Sequence, residues 1–199
     1  MLIKKLKSTY YYRFLTPLLT FFYRACKIQV GDQPIFYGTP IIQRHPASSI
    51  GIGHRVILCS DSHCTALALN HPVKIATIQQ GAKITIGHDV GISGACIVCS
   101  LEITIGSEVL MGANVLIVDT DFHPINPVNR RYSDDNVASI PVNIGNNVFL
   151  GAGVTILKGV EIGDDSIVAA SAVVIAGKYP KGVILAGNPA RIIGSVYEK

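Results

Sequence analysis

Tryptophan is absent from this chain, and charged residues make up only 15% of its 199 positions. Because hydrophobic residues make up 49%, the composition is not that of a disordered protein. A long apolar run is also missing: LTPLLTFFY, at residues 15–23, is too short to span a bilayer and has no signal-peptide cleavage site. Glycine is frequent instead, and Val and Ile dominate the second half. The length and this mixture predict one domain of many short strands joined by tight turns.

Acidic residues are missing from residues 1–31, which hold six Lys and Arg residues. The rest of the chain carries eleven basic residues against thirteen acidic ones, so the folded body has no basic excess with which to bind nucleic acid. Residues 1–27 mix Lys and Arg with Leu, Phe and Tyr at roughly helical spacing, with a break near Pro17. This pattern predicts an amphipathic helical segment. It either lies on an anionic membrane surface or caps the main domain, and both alternatives stay open.

Cysteine occurs five times, in a pattern that fits no disulfide framework. Cys96 and Cys99 form a C-x-x-C pair, but no second pair with zinc-like spacing follows. We therefore interpret the cysteines as small hydrophobic residues of a protein in a reducing cytoplasm.

From residue 28 onward the main signal is a repeat of six residues. One series of aliphatic residues at this spacing comprises Ile144, Leu150, Ile156, Ile162, Val168 and Val174. A small residue follows most of them, and the same phase recurs earlier in the chain, at Ile105, Met111 and Ile117. A period of six suits a coil of short strands in which three hexads form one triangular rung. Each rung buries its apolar face only against its neighbours.

Two insertions interrupt the repeat, at residues 59–72 and 119–140. The second contains DTDFHP, which presents Asp119, Asp121 and His123 between two monotonous aliphatic stretches. Long loops in compact repeats are usually functional. Asp and Pro also favour turns, so a purely structural reading of the two aspartates stays open. A metal site built from these three residues has only weak support, because close sequence spacing is poor evidence for three ligands.

The hexads, the DTDFHP loop and the ending AGNPAR together resemble the hexapeptide-repeat acyltransferases, whose fold is an all-β, left-handed parallel β-helix. The resemblance covers roughly residues 28–195 and is closest to the O-acetyltransferases of bacterial surface-polysaccharide synthesis. It implies a domain at 28–199, a projecting loop at 119–140, acetyl-CoA as the acyl donor and no metal. It further implies a homotrimer with active sites between protomers.

The resemblance also implies roles for individual residues. His123 would act as the general base for direct attack by a sugar hydroxyl, with Asp121 or Asp119 orienting its ring. The donor-side positions are Phe149, Gly151, Ala152, Ala170, Lys178, Lys181 and Arg191, of which the last three are candidates for the coenzyme phosphates. The acceptor-side candidates are Ser93, His71, Arg130 and Arg131.

Departures from the family pattern leave the acceptor open. Phe149 stands where sugar acetyltransferases often have Trp, and Ala152 stands where a Ser helps to hold the oxyanion. The segment GISGA, which contains Ser93, lacks an Asn of the enzymes that act on small sugars, which argues against a small free sugar as acceptor. The resemblance implies a sugar of a polysaccharide repeat unit or of its lipid-linked precursor, and the basic N-terminus would hold the enzyme near that lipid, at the inner membrane face. The alternatives are N-acetylation of an amino sugar, O-acetylation of serine, a metal hydratase on the same fold and a non-catalytic β-helix scaffold.

Overall fold

The computed structural model describes residues 7–133 and 136–198, and within them the chain winds into a triangular coil of parallel strands. The first face of the coil contains β1 (Gln29–Val30), β4 (Ser49–Ile52), β7 (Lys83–Ile86), β10 (Glu102–Ile105), β13 (Val142–Ile144), β16 (Val160–Ile162) and β19 (Gly177–Tyr179). The second contains β2 (Ile35–Tyr37), β5 (Ile57–Cys59), β8 (Gly91–Ser93), β11 (Leu110–Met111), β14 (Phe149–Leu150), β17 (Ile167–Val168), β20 (Val183–Gly187) and β21 (Ala190–Ser195). The third contains β3 (Ile41–Gln43), β6 (Lys74–Thr77), β9 (Cys96–Cys99), β12 (Leu116–Val118), β15 (Thr155–Ile156) and β18 (Val173–Val174).

The six-residue repeat corresponds to one strand and one turn, which confirms the left-handed parallel β-helix. Residues eighteen positions apart lie above one another on successive rungs: Ile144 pairs with Ile162 and Leu150 pairs with Val168. All six aliphatic residues of the clearest hexad series are buried in one continuous core. Because each apolar side chain contacts its equivalents one rung above and below, the core runs the length of the coil.

The corner between the first and second faces is built from Gly followed by a hydrogen-bond acceptor. A side chain on Gly53 would place its Cβ only 2.3 Å from the carbonyl oxygen of Gly87, so this column requires glycine. Each residue after the glycine accepts a backbone N–H from the rung before it. The acceptors are His54 (3.0 Å), His88 (2.9 Å), Ser107 (3.0 Å), Asn146 (2.9 Å) and Asp164 (2.6 Å). His54 and His88 therefore act as hydrogen-bond acceptors in the turns of this corner.

The N-terminal helical segment covers the first rung. It contains a π-helical turn (Tyr11–Leu15) and the helix α1 (Thr16–Ala25). Its inner face carries Thr16, whose hydroxyl accepts the Phe36 N–H at 2.9 Å, and Tyr23, whose hydroxyl donates to the Pro40 carbonyl at 2.6 Å. The capping alternative is thus observed in the structure.

The expected break near Pro17 is not observed. Pro17 lies in the first turn of α1, directly after a π-helical turn, an irregularity that accommodates its missing N–H within a continuous helical segment. The preceding π-helical turn closes with a bond from the Thr16 N–H to the Tyr11 carbonyl, so the helical path continues through the proline. Residues 1–6 of the predicted segment lie outside the described residues.

The two insertions leave the coil at different corners. The first, residues 60–73, connects β5 with β6 between the second and third faces and contains a short 3₁₀ turn (Ser62–Cys64). The second, residues 119–141, connects β12 with β13 between the third and first faces, with residues 134 and 135 outside the described part. The far end of the coil closes with β21, which turns back antiparallel to β20.

Candidate active site

Asp119 anchors the second insertion to the coil. Its side chain is fully buried and its two oxygens accept the N–H groups of Ser100 and Leu101, both at 2.7 Å. The Cys99 thiol lies 3.3 Å from one of these oxygens. Burial, together with the neighbouring carboxylate, raises the pKa of this thiol to about 12. These hydrogen bonds hold the start of the loop, at Asp119, against the turn between β9 and β10.

Asp121 occupies a different environment two residues later. One carboxylate oxygen forms an ion pair with the Lys158 ammonium, and the other, Oδ2, is buried without a hydrogen-bond partner among the described residues. Its backbone N–H donates to the Ala138 carbonyl at 3.1 Å. Burying an unpaired acceptor is costly, so this oxygen is available to a donor that approaches the loop.

His123 projects from the surface after a sharp reversal of the backbone. Phe122 adopts a positive φ of 63°, a strained conformation for an aromatic residue and one that is common near functional sites. His123 is exposed in an open cleft of about 550 Å³. The rest of this cleft is lined by residues of the same loop: Pro127, Asn129, Arg130, Arg131 and Tyr132.

The two arginines of the loop also interact within it. A terminal nitrogen of Arg130 donates to the Ile125 carbonyl, and the Arg131 guanidinium lies 5.9 Å from the centre of the Tyr132 ring. Both side chains remain exposed at the cleft, where they carry positive charge beside His123.

The predicted donor-side residues lie at another corner, between the second and third faces. A Cβ on Gly151 would lie 2.6 Å from the Ala170 nitrogen, so the turns at Ala152 and Ala170 stack closely and leave their backbone near the surface. Phe149 on β14 is exposed beside them. None of these residues lines the cleft that contains His123.

The three basic residues predicted to meet the coenzyme phosphates lie on three different segments near the far end of the coil. Lys178 lies on the first face, 3.0 Å from the Glu161 carboxylate, and both side chains are largely exposed. Lys181 lies in the turn between β19 and β20, and Arg191 lies on β21.

The acceptor-side candidates Ser93 and His71 lie near the donor corner. Ser93 ends β8, and the first insertion folds over the turn that follows it. Asn114 holds this insertion through bonds to the Asn70 N–H at 2.8 Å and the Ala68 carbonyl at 3.2 Å. His71 Nδ1 lies 2.9 Å from the Pro72 carbonyl. Apart from Lys178 and Lys181, the candidates thus fall, within one chain, into two groups at different corners.

Lys158 is the residue at this site that the sequence analysis did not identify. The repeat could have identified it. Because one rung contains eighteen residues, residue 158 lies one rung above residue 140, at the base of the loop. The Gly159 N–H accordingly donates to the Ile140 carbonyl at 3.1 Å. Within residues 7–133 and 136–198, no group of three His, Cys, Asp or Glu side chains is arranged to hold a metal.

Comparison with known proteins finds similarity in sequence and in fold. Residues 141–176 match the sequence profile described as bacterial transferase hexapeptide (six repeats). The chain is 35% identical over 120 residues to the galactoside O-acetyltransferase of Escherichia coli K12, covering 60% of this chain and 57% of that protein. Its structure also matches the crystal structure of a maltose O-acetyltransferase from Clostridium difficile 630, with a TM-score of 0.51 and 31% sequence identity. The match covers 58% of this chain and 60% of that chain.

A further solved structure, a galactoside acetyltransferase in complex with coenzyme A, matches 100% of this chain and 84% of its own with a TM-score of 0.53. At 20% identity, that likeness concerns the fold alone. The chain spans little more than half the length of the first curated relatives that it matches, 52% and 57%.

Proposed function

We propose that this chain, which resembles the hexapeptide-repeat acetyltransferases in sequence and fold, is an acetyl-CoA-dependent O-acetyltransferase acting on a sugar hydroxyl. The observation that carries the proposal is the presentation of His123. An exposed imidazole stands in an open cleft, on a loop whose base is fixed by Asp119 and Asp121. The named activities of the similar proteins give the reaction class.

In the proposed reaction His123 acts as general base. The imidazole takes the proton of the acceptor hydroxyl while the hydroxyl oxygen attacks the carbonyl carbon of the acetyl thioester. The C–S bond then breaks, the acetyl group stays on the sugar oxygen and the coenzyme A sulfur receives the proton from the imidazolium. No acyl-enzyme intermediate forms in this scheme.

We assign the orienting role to Asp121 and a structural role to Asp119. Both oxygens of Asp119 already accept backbone N–H groups, whereas Asp121 Oδ2 has no hydrogen-bond partner among the described residues. A carboxylate that accepts the second ring N–H of His123 would fix the tautomer and stabilise the imidazolium. Lys158 would act as a positioning residue, because it holds the other oxygen of Asp121.

The donor would lie along the corner formed by Gly151, Ala152 and Ala170, beside Phe149. Because Ala152 has no hydroxyl group, a backbone N–H would have to stabilise the oxyanion at this point. Among the basic candidates, Arg191 on β21 shares the second face with the donor strands, whereas Lys178 is paired with Glu161 and Lys181 lies at the corner between the first and second faces.

The separation of the two groups supports a homotrimer with sites between protomers. His123 leaves the coil at one corner and the donor residues form another, so a neighbouring copy would bring them together. We place this trimer in the cytoplasm and propose a surface polysaccharide unit, or its lipid-linked precursor, as the acceptor. Arg130 and Arg131 would meet acidic or phosphate groups of that glycan, while Ser93 and His71 would contact its sugar.

The proposal is tested by titrating acetyl-CoA into the purified protein and into a His123→Ala variant by calorimetry. Binding that survives in the variant, combined with loss of thiol release in the presence of an acceptor sugar, is expected if His123 serves chemistry and not donor binding. Because His123 is exposed, the variant should unfold at the same temperature as the wild type. Absence of acetyl-CoA binding in both proteins, with the fold intact, would refute the proposed activity.

A further inference from the structure

The N-terminal helical segment exposes an apolar surface that the core does not use. We define the outer aromatic face as Tyr10, Phe14, Leu18, Phe21 and Phe22, whose side chains are 53–75% exposed. Spacings of three and four residues place most of them along one side of the segment. Large aromatic side chains in such a row are costly to leave in water, so the row indicates a binding surface.

Capping of the coil does not account for this row. The inner face of the segment makes the packing contacts through Thr16 and Tyr23, and the Tyr23 ring lies 5.9 Å from the Phe36 ring. Leu19 adds a partly buried contact to the same core. The outer aromatic face points away from these contacts and would be unnecessary for a segment that acted only as a cap.

The charge around the outer aromatic face is positive. Arg13 and Lys27 are exposed, and no acidic residue occurs in residues 7–31. Arg13 and Arg24 also line a groove of about 620 Å³ beside the segment, together with aromatic side chains and one acid, Asp32. Asp32 lies 3.4 Å from Arg24, whereas Arg13 has no ion-pair partner among the residues that the structure describes.

This charge pattern selects among the partners that an apolar helix face could bind. A second copy of the segment would bring like charges together, which disfavours self-association through this face. An anionic lipid surface offers both acyl chains for the aromatic rings and phosphate groups for the basic residues. Within residues 7–133 and 136–198, no helix has the length and apolarity needed to cross a bilayer, so the segment would lie in the interface.

The position of the segment fits such an arrangement. β1, β2 and β3 form the first rung, and each is an edge strand of its face, so the segment lies at one end of the coil. The loop of His123 leaves after the fourth rung. With about 4.8 Å between neighbouring strands, His123 would stand on the order of 15 Å from that end. This separation would suit a sugar that is attached to a membrane lipid through a phosphate linkage.

We propose that the outer aromatic face docks the protein on an anionic membrane lipid surface with the coil standing on its first rung. The choice of a lipid-linked acceptor rests on the proposed function, whereas docking itself does not depend on any activity. Docking would hold the His123 cleft near the acceptor and would confine the enzyme to the membrane face where the glycan precursor is made.

The test is co-sedimentation of the full-length protein with vesicles, in the absence of acetyl-CoA. Phosphatidylcholine vesicles are compared with vesicles that also contain phosphatidylglycerol. We expect binding to the mixed vesicles and little to the neutral ones. The double variant Phe14→Ser, Phe21→Ser should lose this binding, and Arg13→Glu should weaken it by on the order of tenfold. Ile193→Ser, an equally exposed apolar position at the opposite end of the coil, should bind like the wild type.

The possible results separate this inference from the proposed function. Failure of the wild type to bind mixed vesicles, or equal binding by the double variant, overturns membrane docking even if acetyl transfer is found. A change in the oligomer size of the double variant by light scattering, without vesicle binding by the wild type, identifies a second copy as the partner and also overturns it. Unchanged melting temperatures serve as the folding control, because the altered side chains are exposed.

Discussion

Asp119 and Asp121 show how two identical side chains in one short motif acquire different tasks. Asp119 is fully buried and its oxygens accept two backbone N–H groups from the turn between β9 and β10. Asp121 pairs with Lys158 and retains a buried oxygen that lacks a hydrogen-bond partner among the described residues. The partners of the two carboxylates, and not their places in the motif, therefore distinguish them, and our assignment of the orienting role to Asp121 rests on this difference.

Replacing Lys158 with Met should lower kcat roughly tenfold or more while KM for acetyl-CoA changes little, because Asp121 would lose the group that holds it. Lys158→Arg keeps the ion pair and should retain most of the activity. Steady-state kinetics of both variants, with melting temperatures measured in parallel, check this prediction. Equal losses in both variants that follow a drop in melting temperature would show that Lys158 only stabilises the fold.

The N-terminal helical segment and the first insertion are joined by a cluster of hydrogen bonds around Asp61. The Tyr11 hydroxyl donates to Asp61 at 2.7 Å, the Lys7 ammonium lies at 3.2 Å and the His63 N–H donates at 2.9 Å. Burial alone would raise the pKa of Asp61, but the hydrogen bonds from Tyr11, His63 and Lys7 outweigh it and hold the pKa well below its usual range. The Asp61 carboxylate thus links the N-terminal helical segment to the first insertion, although Tyr11 and Asp61 are fifty residues apart in the sequence.

This cluster predicts a pH-dependent contribution to stability. The pKa of Asp61 is lower in the folded protein than the value of about 3.9 expected for the unfolded chain. Its stabilisation is therefore fully present above about pH 4 and is lost as the pH falls toward the folded-state pKa. Asp61→Asn should lower the free energy of unfolding at neutral pH, as measured by urea denaturation. The difference in this free energy between the variant and the wild type should become smaller as the pH falls below about 4.

Tyr11→Phe is the matched variant, since it removes one donor from Asp61 without changing the formal charge. It should show the same trend with a smaller amplitude. A difference between wild type and Asp61→Asn that stays constant from neutral pH into acid would contradict the assignment of the stabilisation to the ionised carboxylate.

The molecule as a whole is a one-dimensional stack with a cap at each end and most of the candidate residues on two of its corners. In the described chain His123 shares its cleft only with residues of its own loop, while Ala152 and Ala170 lie at another corner. In the homotrimer that we propose, the complete site would consist of parts of two copies. This requirement can be tested without a structure of the assembly.

Mixing two inactive variants should restore activity if the site lies between copies. We expect His123→Ala and Ala170→Glu to be inactive alone, the first for lack of the base and the second because its carboxylate repels the donor. Coexpression should restore roughly a quarter of the wild-type activity, since random assembly joins an intact loop to an intact donor corner in that share of interfaces. Acetyl transfer by the copurified mixture is the measurement. No restored activity in mixed oligomers would place the site within one chain.

The sequence by itself determined the coil. Hexads of aliphatic residues are a local and repeated property, so the strands, the core positions and the two insertions could be read directly. The insertions were placed at 59–72 and 119–140 and are observed at 60–73 and 119–141. The expected break at Pro17 was wrong, because the sequence pattern does not reveal that a π-helical turn precedes the proline.

Only the tertiary structure decided which residues meet. The pairing of Lys158 with Asp121 joins positions thirty-seven residues apart, and the bonds of Asp119 reach back to the turn at Ser100 and Leu101. Such contacts depend on how many residues the insertion adds before the coil resumes, and hexad spacing contains no information about the path of that loop. The exposure of the outer aromatic face was likewise settled by packing, because an amphipathic pattern does not specify which side of the helical segment the first rung covers.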